Sequence, residues 1–305
     1  MIIRKNDNWF QMLFIWKGSV LPKILPRLLL LLVLSVAIVY FKGTFFDYKI
    51  PLNPAPFTIF GIALALFLGF RNNASYDRFW EARKIWGALL NDTRSMARQA
   101  ITLTGYEKDS REIHVFIHYL TSFTYALKHQ LRFTDAGPDL QKRLDPVLAE
   151  KINSAIYKPI MLMKVMAEWV QQARSAGKID TILQAAFDTN LSNLSTIVGG
   201  CERIASTPIP YTYRVLLHRT VYIYCLLLPF GFVDSLGWFT PLIVVFIAYT
   251  FVALEAIADE IEDPFGLEDN DLALNAMCLM IETTLLEMAE LPLPLQQRKT
   301  TGIID

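Results

Sequence analysis

The chain has 305 residues, 53% of them hydrophobic, with 29 basic and 29 acidic side chains. A balanced charge gives no case for nucleic acid as a partner, and so apolar a composition is unusual for a water-soluble domain. Cys201, Cys225 and Cys278 have neither a disulfide framework nor a metal-ligand spacing and read as small hydrophobes.

The apolar residues are clustered. Between Lys49 and Arg71 lie 21 residues without a charge, and between Asp234 and Glu255 another 20. As helix, such runs cross about 30 Å of hydrocarbon. Shorter uncharged runs sit between Arg27 and Lys42 and between Arg219 and Asp234, with flanking Tyr, Phe, Lys and Arg to extend them to the interfaces. Alone, each fits a buried soluble helix equally well. Beside the two longer runs they complete pairs that return the chain to its starting side. The pattern predicts four spans, at 24–45, 53–71, 213–231 and 236–256. Lys17, Lys23 and Arg27 precede the first. Arg71, Arg78, Arg83 and Lys84 follow the second, and Arg203, Arg214 and Arg219 precede the third. The positive-inside rule then puts both termini and the long middle segment in the cytoplasm, in a cell inner (plasma) membrane. The expected layout is an N-terminal segment at 1–23, spans at 24–71, a cytoplasmic domain at 72–212, spans at 213–256 and a C-terminal segment at 257–305.

The middle segment reads as a helical bundle. Ile113, Phe116, Ile117, Leu120, Phe123, Leu127 and Leu131 share one face at three-and-four spacing. Residues 142–174 and 180–203 read as further amphipathic helices, with Gly177 as the break between them. GPD at 137–139 marks an earlier break, with Asp139 as a helix cap. No stretch alternates long enough to need a sheet, and LPLPLQQRKTTGIID reads as an extended tail.

One stretch raises a physical question. FTIFGIALALFLGFRNNASYDRFWEARKIWG, residues 57–87, begins as a span and continues as a polar helix with no break signal. Ile62, Leu66 and Phe70 stack four residues apart on one face, a pattern any lipid-facing or core stripe shares. Arg71, Asn72, Asn73, Ser75, Asp77 and Arg78 follow at once, which a helix lining a wet axial passage would accommodate. Four thin spans cannot enclose a passage alone, so this reading requires a symmetric ring of subunits. Its apolar rings would form a neck without fixed charge. Gly61, Ala63, Ala65 and Gly69 supply small surfaces for close packing.

Other constellations are weaker. His114 and His118 lie one turn apart, but no carboxylate or cysteine completes a metal site. There is no phosphate loop, GxSxG or HExxH, so the chain reads as no enzyme. The block 255–271 holds eight acidic residues and no basic one. It reads as solvated carboxylates closing a helix, as a cation site built on Glu268, Asp269 and Asp271, or as an acidic rim at a pore mouth.

Three segments carry a family resemblance. FLGFRNNASYDRFWEAR at 67–83 has Leu-Gly-Phe followed, after seven residues, by Arg, an aromatic and Trp. CERIASTPIPYTY at 201–213 is similar to the bacterial entrance to a third span. ALEAIADEIEDPFG at 253–266 is similar to a helix-ending Asn-Pro-Phe-Gly block, with Asp263 where asparagine is usual. In this order they resemble the bestrophin family, its bacterial branch in particular, over nearly the whole chain. The resemblance implies an all-α membrane protein with four transmembrane helices per subunit and a large helical cytoplasmic domain, assembled as a homopentamer around a central pore. The family's neck falls on Ile62, Leu66 and Phe70, and its cytoplasmic constriction on KIDTIL at 178–183, at Ile179. The calcium clasp of animal members maps closest to Glu268 and Asp271, in a broken acidic run that argues against tight calcium binding. No cofactor is required.

The expected function is passive flow of monovalent ions, chloride and other anions by resemblance, with membrane lipid and further copies of the chain as partners. A net-basic stretch at 71–98, six basic against three acidic residues, suits anions if it faces the lumen, whereas the 255–271 block suits cations if it does so instead. A monovalent cation (Na+/K+) channel of the same fold and a pore-less membrane scaffold or receptor therefore stay open as alternatives.

Overall fold

The structure, a computed structural model, describes residues 8–45, 48–49 and 52–294. The first part of the expected N-terminal segment, the centre of the turn at 42–49 and most of the expected tail (295–305) lie outside the described residues. The element order is α1 (Trp9–Met12), α2 (Leu21–Tyr40), a two-residue antiparallel pairing of β1 (Thr44–Phe45) with β2 (Tyr48–Lys49), α3 (Pro54–Leu103), α4 (Arg111–Arg132), α5 (Gly137–Gln141), α6 (Pro146–Asn153), α7 (Lys158–Ser175), α8 (Thr181–Ser206), α9 (Tyr211–Leu236), a short 3-10 turn, α10 (Thr240–Glu262) and α11 (Leu274–Met288). These divide into two compact units. One takes the described residues up to Phe79 with Pro208–Pro264; the other takes Trp80–Thr207 with the chain from Phe265.

Among the described residues, three helical stretches are long and apolar enough to cross a membrane: Leu21–Tyr40, Pro54–Leu103 and Tyr211–Glu262. Gly237, at φ 52, breaks the third into α9 and α10, which fold back on each other with α2 packed against both. Pro22 and Pro241 sit where a proline costs least, in the first turns of α2 and α10, whereas Pro26 and Pro229 lie inside α2 and α9. α2 stops at Tyr40, short of the expected 45, because Lys42 and Gly43 take left-handed conformations. Leu28, Leu31, Leu64, Leu68, Val221, Leu228, Val244 and Val252 form the apolar core. Small residues admit close approach there: a Cβ added at Gly61 would lie 2.6 Å from the Tyr224 hydroxyl, and one at Gly231 3.0 Å from the Phe57 ring.

The second unit is a bundle around α4, whose predicted face is buried throughout. From Thr121 to Lys128 every residue of α4 is buried, so the helix is covered on all sides by α5, α7, α8 and α11. Phe116 stacks on Trp169 at 4.2 Å and meets Phe187 edge-on at 5.9 Å; such aromatic pairs contribute about 0.5–1.5 kcal/mol each beyond area burial. Gly177, at φ 69, separates α7 from α8 as expected.

Two expectations are corrected. The 142–174 segment is two helices, broken at 154–157 ahead of Pro159 in the first turn of α7. Asp139 caps nothing: it lies inside α5, and its carboxylate accepts from His129 Nε2 at 2.9 Å and Lys128 Nζ at 3.3 Å. The caps are Asp145, which accepts from Val147 N–H at 2.9 Å, and Asp180, which accepts from Leu183 N–H at 2.7 Å.

Candidate functional site

The site begins with the two sides of α3 within the first unit. At about 100° per residue, Leu64, Leu68, Arg71 and Ser75 fall within about 60° of one another, and all four are buried. Ile62, Leu66 and Phe70 occupy an arc of about 80° on the opposite side. Their side chains are 61%, 58% and 61% exposed. Large apolar groups left open on a helix packed along its other side mark a surface that something outside the protomer completes.

The polar residues after Phe70 divide between the same two sides. Arg71 is fully buried; its Nη2 donates to Asp259 and, at 3.2 Å, to Glu262 Oε2. Asn72 Nδ2 donates to the Leu68 and Leu254 carbonyls at 2.9 and 3.1 Å. Arg78 Nε donates to the Glu262 carbonyl at 3.1 Å, and the Ile209 amide donates to Glu262 Oε1 at 3.2 Å. Only Asn73 and Asp77 of the six polar residues named at sequence level stand exposed, and both lie on the arc of Ile62, Leu66 and Phe70. The expected polar extension toward water thus holds for two of the six residues: Arg71, Asn72 and Arg78 bond within their own unit, and Ser75 is buried beside Leu64 and Leu68 on the packed side.

The acidic block is likewise not simply solvated. Glu255, Glu262 and Asp271 are buried. Glu255 Oε1 meets His218 Nδ1 at 2.7 Å, His218 packs on Tyr222 at 4.5 Å between ring centres, and Arg27 Nη1 donates to the Tyr222 hydroxyl at 2.7 Å. Glu260 pairs with Lys23 at 3.2 Å. Asp271 Oδ2 accepts the Glu268 amide at 2.7 Å, and Glu268 is exposed. Among the described residues no group of three or more His, Cys, Asp or Glu side chains gathers as a metal site. His118 is half-buried, and that burial, with Arg143 nearby, lowers its pKa below the usual histidine value.

Ile179 lies in the turn before α8 and is 4% exposed, whereas Ile182, three residues on, is 79% exposed. Cys201, Cys225 and Cys278 are free and buried, and burial pushes the Cys201 and Cys278 thiols up to about 12. The sequence reading missed the partners of Arg71 and of Glu255. The available signal was an arginine abutting an apolar run, with Asp259 and Glu262 three residues apart elsewhere to receive it.

A helical membrane-type architecture with an exposed apolar stripe on its longest helix defines the class. The bacterial/fungal bestrophin family profile matches residues 1–287. A voltage-dependent anion channel-forming protein of Ralstonia nicotianae is 52% identical over 282 residues, 92% of each chain. YneE of Escherichia coli K12, with the same description, is 40% identical over 295 residues, 96% of each chain. The crystal structure of a bacterial bestrophin homolog from Klebsiella pneumoniae superposes with a TM-score of 0.85 at 41% identity, over 88% of this chain and 99% of that one. The chain belongs to the bacterial bestrophins.

Proposed function

We propose that the protein is a passive channel for monovalent anions, built from five copies of the chain around a common axis. Ile62, Leu66 and Phe70 of each copy line its neck. The observation that carries this reading is the exposed apolar arc of α3 directly opposite that helix's buried side. Facing its copies across an axis, the arc makes a passage with no fixed charge, narrow enough for wetting to control conduction. Relatives named as voltage-dependent anion channel-forming proteins support the sign of the ion.

On this reading α2, the first part of α3, α9 and α10 cross an inner membrane four times, with both termini and the 72–212 domain in the cytoplasm. Arg78, Arg83, Lys84, Arg203 and Arg214 lie on the cytoplasmic side, as the positive-inside rule requires. The cytoplasmic narrowing falls to the 178–183 segment. Ile179 is buried within the protomer, and the large apolar side chain that the segment exposes is Ile182. No cofactor is required on this reading, and the broken acidic run at 267–271 argues against tight calcium binding at Glu268 and Asp271.

The test is electrical. Purified protein in a planar bilayer between unequal potassium chloride solutions gives discrete currents that reverse toward the chloride equilibrium potential. Reversal toward the potassium potential assigns a cation channel of the same fold. Silence from a folded oligomer assigns a pore-less scaffold or receptor. Leu66→Ala changes unitary conductance or gating without dissolving the assembly.

A further inference from the structure

We propose that Asp77 sets the balance between anions and cations in the current, acting as a ring of carboxylates just inside the neck. The inference rests on the reading of Ile62, Leu66 and Phe70 as the neck and adds a specificity-determining residue to it.

Position comes first. Taking Ile62 as the origin, the neck residues span about 80° of helix circumference, and Asn73 and Asp77 fall at about 20° and 60°. Both are exposed and share one unbroken helix with the neck. Asp77 lies seven residues beyond Phe70, about 10 Å along the helix axis. It is the first ionisable side chain on that arc after the neck.

Charge comes second. By sequence, Arg71 and Arg78 flank this position and make the stretch net basic. In the fold, Arg71 lies on the opposite side, buried against Asp259 and Glu262, and Arg78 is turned to the Glu262 carbonyl. Neither guanidinium shares the arc of Asp77, and among the described residues no ion pair engages the Asp77 carboxylate. The first fixed charge on the arc of the neck residues is therefore negative.

Repetition comes third. A symmetric ring brings the same carboxylate from every copy to one level of a confined aqueous space, where low-dielectric walls focus the field. Acidic rings of this kind concentrate cations and oppose anions. An uncharged neck cannot sort ions by sign, so this ring limits the anion preference proposed above and sets how much of the current cations carry.

The experiment measures the chloride-to-sodium permeability ratio from reversal potentials in unequal sodium chloride, for the wild type, Asp77→Asn, Asp77→Lys, Asn73→Asp and Leu66→Ala. Each variant is first checked for the same oligomer by size-exclusion chromatography. Asp77→Asn raises the ratio several-fold and Asp77→Lys raises it further. Asn73→Asp, which adds a carboxylate nearer the neck on the same arc, lowers it and supplies a readout should an Asp77 variant fail to assemble. The effects shrink between about 0.1 and 1 M salt, as the screening length falls from about 10 to 3 Å. If the Asp77 and Asn73 variants leave the ratio unchanged while Leu66→Ala alters conductance, the neck stands and the Asp77 proposal is overturned. If Leu66→Ala is also silent, the neck reading falls with it.

Discussion

Arg71 and Glu262 stand 191 residues apart in the chain and 3.2 Å apart in the fold. The same glutamate accepts the Ile209 amide on its carboxylate and Arg78 on its carbonyl. Residues 67–83, 201–213 and 253–266, the three segments that carry the family resemblance, thus converge on one residue. The arrangement explains how α3 leaves its apolar stretch without a break: its first cation is neutralised inside its own unit.

Removing Arg71 exposes the cost of that arrangement. Asp259 is half-exposed and can be hydrated, whereas Glu262 is buried. Arg71→Met is expected to destabilise the protein by about 3–5 kcal/mol, the usual cost of stranding a buried charge. Thermal unfolding in detergent gives the check. Because both substitutions remove one interaction, adding Glu262→Gln should cost less than the sum of the two single changes. Additive losses would show that the two residues act independently.

Gly61 is predicted to be intolerant and Gly69 tolerant, for steric reasons alone. A methyl at Gly61 meets the Tyr224 hydroxyl, which itself donates to the Phe57 carbonyl at 3.2 Å, while one at Gly69 meets nothing within 4 Å. Gly61→Ala should destabilise by about 1–3 kcal/mol, less any gain in helix propensity, by forcing the ring aside. Adding Tyr224→Phe, which removes the clashing oxygen, should recover most of the loss. No recovery in melting temperature would place the clash elsewhere.

The second unit carries an acid-sensitive element. Arg143 holds Glu282 in a two-pronged pair at 2.7 and 2.9 Å, and its guanidinium lies 3.8 Å from the Tyr125 ring centre. The same arginine reaches Asp139 at 3.3 Å. The hydrogen bond from His129, aided by Lys128 and Arg143, holds the Asp139 carboxyl well below the usual carboxylate range against the opposing effect of burial. A folded-state pKa below the unfolded one contributes stability above about pH 4 that is lost as pH falls through the folded value. The wild-type melting temperature should therefore drop between about pH 5 and pH 3. Asp139→Asn should melt lower at neutral pH yet fall less over that acid range. Parallel pH profiles would remove Asp139 as the sensor.

Local signals in the sequence were sufficient where a structural feature depends on one segment. The apolar helices, the inward face of α4 from Ile113 to Leu131 and the break at Gly177 all follow from periodicity or from one residue's backbone freedom. Readings failed where partners come from afar. Asp139 follows a Gly-Pro pair and looks like a cap, but His129, Lys128 and Arg143 claim it. Glu255 and Glu262 look solvated until His218 and Arg71 arrive from other helices. The stripe of Ile62, Leu66 and Phe70 was visible from spacing, yet the burial of Arg71 against Asp259 and Glu262 emerges only from the fold. Ile179 and Ile182 show the same limit: neighbours in one hexapeptide, one buried and one exposed.

The central claim is that the Ile62, Leu66 and Phe70 face borders water on a shared axis, and a cysteine at position 66 tests it most directly. The three native cysteines are buried, so the wild type supplies a quiet background. Bilayer currents from Leu66→Cys should fall when a charged, water-soluble thiol reagent is added, and wild-type currents should not. Leu66→Cys currents that ignore that reagent, yet respond to a lipid-soluble one, would turn this face toward hydrocarbon and contradict the account.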